Sequence, residues 1–198
     1  SLADRPPEEA TFFWGGGPVE VAPRTFYQCA FSSCTGFETD EGLVLIDTGL
    51  ARLAPSLAAR LRERTQAPVN TAIYTHGHVD HAYGLGAFLL PGQAAPRVVA
   101  HRAVPDRFAR YVQTAGHNAA VNARQFGGTV DAAKSAAYES FRVAPAPPTL
   151  LYDERLQLEI GGVRFELFHA RGETDDHTWI WCPERGVLCT GDLFIWVM

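Results

Sequence analysis

Cysteine is scarce in this sequence: four in 198 residues, none at C-x-x-C spacing. That excludes a disulfide-stapled scaffold, a zinc ribbon and a thioredoxin-type redox motif. Cys29 and Cys34 fall in one strand-like stretch, on opposite faces if it is regular. Cys182 and Cys189 flank the turn Pro183-Glu184-Arg185-Gly186 and could face each other across a hairpin. Buried free thiols are the expectation for all four. Basic charge is also short: 17 Lys and Arg against 22 Asp and Glu, a net charge of −5, with no Lys/Arg cluster. Such a surface gives no footprint for nucleic acid. No apolar run approaches the roughly 20 residues that span a bilayer, so no membrane partner is expected. The first nine residues, Ser1 to Glu9, show no signal-peptide core, although they do not open on Met. A cytoplasmic location is the expectation. No short-period repeat is visible.

What remains is the composition of a globular protein, with 46% apolar and 11% aromatic residues. The length suits one core, and we expect a single domain over residues 1–198. It divides into a first half (1–100), a helical insertion (101–148) and the start of a second half (149–198). An extended arm over 1–10 leads to Phe12-Phe13-Trp14 and the turn Gly15-Gly16-Gly17-Pro18. Val19 to Ala22 and Thr25 to Thr35 read as strands, Glu38 to Gly42 as a hairpin turn, and Leu43 to Gly49 as a buried strand ending in Asp47-Thr48-Gly49. Ala51 to Thr65 has apolar residues at 53, 57, 58 and 61, an amphipathic helix. Val69 to Tyr74 is the next strand, Ala82 to Leu90 a helix and Val98 to His101 a short strand. Strand–helix–strand order implies right-handed crossovers and a helix-covered sheet. Helical patterns run from Arg102 to Phe141, with breaks at Gly116 and Phe126-Gly127-Gly128; His101 and His117 lie nearby as structural or pocket residues. After the stiff Pro145-Ala146-Pro147-Pro148, Arg155–Ile160 and Val163–Phe168 alternate around Gly161-Gly162, a two-residue hairpin signal. Trp179 to Cys182 and Val187 to Asp192 close the sequence of strands.

The chemistry concentrates in Thr75-His76-Gly77-His78-Val79-Asp80-His81, on the turn that leaves the Val69–Tyr74 strand. Strand-to-helix turns of α/β proteins commonly carry function. Imidazole nitrogen and carboxylate oxygen are preferred ligands of zinc and related divalent metals. His76 and His78, two apart on an extended turn, can point the same way, while Asp80 and His81 at the helix start address a second point nearby. The spacing suits two adjacent ions better than one.

H-x-H-x-D-H resembles the signature of the metallo-β-lactamase superfamily of metallohydrolases. The resemblance runs from Leu43 to Asp192 and implies an α/β fold, the αββα sandwich, here without its C-terminal portion. It implies that Asp47 braces the metal turn by hydrogen bonds, where it could also cap the following helix, and that Gly191-Asp192 supplies a bridging ligand, Asp192. Where the superfamily has Gly-His-Thr, this chain reads Gly172-Glu173-Thr174. Glu173 thereby becomes the ligand that joins His76 and His78 at the first metal, with His169 and His177 as alternatives from the same turn. Asp80 and His81 hold the second, and Asp80 also orients the attacking hydroxide. A Glu among the ligands is similar to the alkylsulfatase-like branch. A carboxylate there makes the site harder and more anionic, so two Zn2+ are expected, with Mn2+ or Fe admissible. Asp175 and Asp176 could hold the turn or support the ligands, but read first as solvated acids. The implied activity is hydrolysis of an ester-type bond in a small-molecule substrate. An iron-dependent oxidoreductase on the same fold, a nuclease and a non-catalytic subunit needing a partner chain are the alternatives. The superfamily's final His ligand has no counterpart in the six residues after Asp192. We therefore expect a missing C-terminal segment, a complementing chain, or pairing of copies into a homo-oligomer.

Overall fold

The computed structural model describes residues 17–125, 141 and 145–194. The expected arm over 1–10, the Phe12–Trp14 anchor and the break at Phe126–Gly128 lie outside them. The elements are β1 (Val19–Ala22), β2 (Thr25–Cys29), β3 (Ser33–Thr39), β4 (Gly42–Ile46), α1 (Ala54–Arg62), β5 (Val69–Ile73) and α2 (Val79–Ala82). A 3₁₀ turn at Leu85–Phe88 precedes β6 (Arg97–His101), α3 (Val104–Gln113), α4 (Ala115–Gln125) and β7 (Leu150–Tyr152). Then come β8 (Arg155–Ile160), β9 (Val163–Ala170), β10 (His177–Cys182), β11 (Val187–Cys189) and a 3₁₀ turn at Gly191–Leu193.

Two sheets face each other. The first has seven strands in the order β1-β2-β3-β4-β5-β6-β7, the second four in the order β11-β10-β9-β8. Strands β4 to β7 run parallel, so their carboxyl ends share one edge, where open α/β sheets place their sites. Alternation along β4 shows why the first sheet is buried on both sides: Leu43 and Leu45 pack with Leu57 and Leu61 of α1. Val44 and Ile46 pack instead with Phe165, Leu167 and Ile180 of the second sheet. A helix layer, two sheets and the core between them are thus built from one period-two pattern.

Several expectations are corrected. The stretch Thr25–Thr35 breaks at residues 30–32, so Cys29 and Cys34 stand on two paired strands, with Gln28 opposite Cys34 and Cys29 opposite Ser33. Cys182 pairs with Val187 and Cys189 with Ile180, so these two do not face each other; all four thiols are free. Leu150–Tyr152, read with the second half, is the edge strand of the first sheet. The helical break falls at Thr114, and Gly116 lies inside α4. His101 is buried, while His117 is exposed.

The expected Ala82–Leu90 helix is instead the short α2 and a 3₁₀ turn, separated at Gly84. Gly84 is wedged against the Asp-Thr-Gly turn. A Cβ there would lie 2.1 Å from the Thr48 carbonyl oxygen and 2.6 Å from Ala54 Cβ. Backbone cannot yield as a flexible side chain can, so Gly84→Ala is expected to cost about 3 kcal/mol or more, at the upper end of overpacking. Chemical denaturation measures it, and a loss below about 1 kcal/mol would show that the turn has slack.

Candidate metal centre

Strand β5 delivers the chain to Thr75 at the carboxyl edge of the first sheet. The Tyr74 amide still bonds to the Val99 carbonyl (3.0 Å), and the Thr75 carbonyl accepts from Thr178 of β10 (2.6 Å), which ties the two sheets together at this point. Asp47, just past β4, sits beneath the turn with φ 58°, in the left-handed region that Asp tolerates better than most residues. It is buried and accepts from the Thr75 amide (2.8 Å), the Thr75 hydroxyl (2.7 Å) and His81 Nδ1 (2.7 Å). The brace implied for Asp47 is therefore present. It is not a helix cap: Leu53 occupies that position in α1. Since a carboxylate only accepts, His81 carries its proton on Nδ1 and presents Nε2 to the site.

His78 is the extended residue that opens α2, which places Asp80 and His81 in the first turn of that helix, as expected. The donor atoms of His76, His78 and Glu173 lie within 4.8 Å of one another, and so do those of His76, His81 and Asp192. Glu173 Oε2 stands 2.7 Å from His78 Nδ1 and 3.4 Å from His76 Nε2. Asp80 Oδ2 and Asp192 Oδ2 each stand 3.5 Å from His81 Nε2. All six expected residues thus meet at one edge. One difference is that His76, fully buried, faces both groups, where the sequence assigns it to the first alone. A second is that Asp192 sits in the 3₁₀ turn after β11, not on the strand itself.

Electrostatics follow the packing. Burial, and next the neighbouring His81, lower the pKa of His76, favouring the neutral ring whose lone pair can bind a metal. Burial also opposes charge on His81, but Asp47, Asp192 and Asp80 outweigh it and raise its pKa well above the usual value. The approach of Glu173 to His76, then to His78, holds its carboxyl well below the ordinary carboxylate range. Burial resists ionisation of Asp192, and His81 beside it more than compensates, so its pKa falls.

The two alternatives to Glu173 belong to neither donor group, although the His177 ring stacks on His76, centroids 5.0 Å apart. His169 stacks on His101, centroids 4.0 Å apart and 6° from parallel, and its Nε2 meets the Asp175 carbonyl at 2.8 Å. His177 engages the Thr190 carbonyl through Nε2 (2.8 Å). Asp176 is no solvated acid, since it is fully buried. Its carboxylate accepts from the Gly77 amide (2.9 Å) and Arg107 Nε (2.9 Å). Arg107, Thr75 and Ser32, whose hydroxyl donates to the Asp80 carbonyl, are the supporting residues that sequence reasoning missed. Only Thr75, adjacent to the motif, carried a signal; Arg107 is 69 positions from its partner.

These donors fit a divalent metal. His76 Nε2 is buried with no hydrogen-bond partner among the described residues, although His76 shares its two groups with four donors, His78, Glu173, His81 and Asp192. An orphaned buried nitrogen is costly unless something else binds it. Imidazole and carboxylate are the donor set of zinc and its neighbours.

Comparison with known proteins agrees. The sequence description "Metallo-beta-lactamase superfamily" matches residues 28–195. The linear primary-alkylsulfatase of Pseudomonas sp. (strain ATCC 19151) is 22% identical over 169 residues, which span 79% of this chain but 32% of that protein. A double mutant of the sec-alkyl sulfatase PisA1, from Pseudomonas sp., superposes with a TM-score of 0.70 at 20% identity, covering 87% of this chain and 30% of that one. A B3 metallo-β-lactamase described as having an active-site glutamic acid gives a TM-score of 0.58 at 20% identity, covering 90% and 62%. The chain thus spans about a third of the length of its curated relative. With 28–195 matched, the two-sheet fold shared and the H-x-H-x-D-H turn at the sheet edge, the chain belongs to the metallo-β-lactamase superfamily.

Proposed function

We propose that this chain carries the site of a metal-dependent hydrolase acting on an ester-type bond, with two zinc ions as the natural complement. The observation that supports this most is the convergence of His76, His78 and Glu173 beside His76, His81 and Asp192, with His76 Nε2 orphaned between them. His76, His78 and Glu173 would hold the first ion; Asp80 and His81 would hold the second, with Asp192 between the two. Such ions, when bound, lower the pKa of a coordinated water towards 7 and polarise the oxygen of the bond under attack. The chain's own residues do the rest. Asp47 fixes the ring and tautomer of His81, and Ser32 holds the Asp80 backbone. The Asp80 carboxylate, 18% exposed, is placed to accept a hydrogen bond from the attacking water.

Asp80, His81 and Asp192 open on a cavity of about 510 Å³, whose walls include Val21, Phe31, Leu188 and Phe194. The alkylsulfatase relatives make an alkyl sulfate ester the first substrate class to test. Metal content by mass spectrometry, with turnover of alkyl sulfate, phosphate, carboxylic ester and β-lactam substrates, tests the reading. A protein that binds no divalent metal would end it. One bound iron with oxygen uptake would move it to an oxidoreductase on the same fold.

Glu173 separates a ligand from a bystander. Glu173→Gln keeps the shape and loses the charge, so metal affinity or rate is expected to fall 10-fold or more, as roughly seen for altered ligand shells. His169→Ala, which breaks only the stack on His101 and the contact to Asp175, is expected to be milder. If His169→Ala strips the metal and Glu173→Gln does not, the ligand assignment is wrong.

A further inference from the structure

We propose that Arg107 and Asp176 form a positioning clamp that sets the first metal group, joining the H-x-H turn to the Glu173 turn without touching the ion. The proposal rests on the metal-site reading above. Asp176 Oδ2 accepts from the Gly77 amide at 2.9 Å, and Gly77 lies between His76 and His78. Asp176 Oδ1 accepts from Arg107 Nε at 2.9 Å and from the hydroxyl of Thr174, the neighbour of Glu173. Arg107 also pairs with Asp175. Every residue in this network therefore sits one or two positions from a ligand of the first group, or bonds to one that does. Among the described residues, no hydrogen bond or ion pair of Arg107 or Asp176 is to His81 or Asp192.

The packing is as specific as the bonding. Asp176 is fully buried, and the Arg107 side chain is 12% exposed. A Cβ on Gly77 would lie 3.0 Å from both Arg107 Cδ and Asp176 Oδ2, so the clamp closes over bare backbone. Arg107 comes from α3, in the segment between the two halves, and so fastens three separate stretches of chain at one carboxylate. A buried ion pair adds little stability over an apolar pair of the same volume. What it supplies here is direction: the planar guanidinium holds the carboxylate at an angle that serves Gly77 and Thr174 together.

The test is titration of the full chain with cobalt(II) against a chelator, read by the visible spectrum. Glu173→Gln identifies which cobalt class belongs to the first group. Arg107→Met and Asp176→Asn are expected to weaken that class about 10–100-fold, shift its bands, and affect the other class clearly less, since it shares only His76 with the first. Arg107→Lys, which keeps the charge without the fork, is expected to recover part of the affinity. Because Arg107→Met leaves the buried Asp176 charge without its cation, Arg107→Met/Asp176→Asn serves as the neutral pair; near-UV circular dichroism reports its fold. The double variant is expected to resemble the singles, since all break one link. Native dichroism with unaltered affinity and spectrum for the first cobalt would overturn the clamp. Equal weakening of both classes would overturn it too, because that is general loosening. If the unaltered protein binds no cobalt, the metal-site reading falls and the clamp with it.

Discussion

The His76→Ala/His78→Ala variant is expected to lose at least about 100-fold in hydrolytic rate, the scale of losing an ion's charge stabilisation. Two of the three donors in the first group disappear, and the third, Glu173, is partly exposed and cannot hold an ion alone. The single variants should not be equal. His76 faces both groups and is fully buried, whereas His78 faces one and is 21% exposed. His76→Ala is therefore expected to lower the content of both ions, and His78→Ala chiefly that of the first. Metal analysis after dialysis, run beside a rate assay, measures this. Full metal content with full activity in the double variant would end the metallohydrolase reading, and equal single variants would end the sharing of His76.

The second large effect is expected at Asp47, where two substitutions should fail differently. Asp47→Ala strips the acceptor from the Thr75 amide, the Thr75 hydroxyl and His81 Nδ1 at one buried point. Breaking a buried charged pair on one side costs about 3–5 kcal/mol, and alanine at a φ of 58° adds strain of about 1–2 kcal/mol. This variant should unfold at clearly lower denaturant. Asp47→Asn keeps the shape and tolerates the left-handed backbone. Its amide, however, can turn an N–H towards His81 Nδ1, which moves the imidazole proton to Nε2, the nitrogen that faces Asp80 and Asp192. We expect a folded protein with the second group disabled. Denaturation and metal content together decide, and an Asp47→Asn protein with both ions bound would show that Asp47 does not set the tautomer.

Much of this was legible in the sequence because the relevant signals are local. H-x-H-x-D-H lies within six residues of one turn, and the apolar alternation of β4 and β5 marks the buried strands on either side of Asp47. Gly161-Gly162 marked its hairpin correctly, since both residues adopt positive φ between Ile160 and Val163. What was not legible depends on distant neighbours. The Ala82–Leu90 stretch has helical periodicity, but the Thr48 carbonyl presses on Gly84 and breaks it. Asp176 looks like any acid on a polar turn until Gly77 and Arg107 close over it. Nothing in a single sequence announces that Arg107 of α3 reaches across to β10's approach.

The Gly77–Asp176 hydrogen bond spans 99 positions, and this has a kinetic consequence. Closing a loop of that length costs chain entropy before the bond itself contributes anything. The H-x-H turn can form as soon as β4, β5 and β6 associate, because its supports at Asp47 and Thr75 come from nearby chain. Glu173 and Asp192 arrive only when the second sheet docks. The site is thus assembled by strongly non-local contacts, which form slowly. A folding chain therefore shows its histidine turn early, without the carboxylates that complete the two groups.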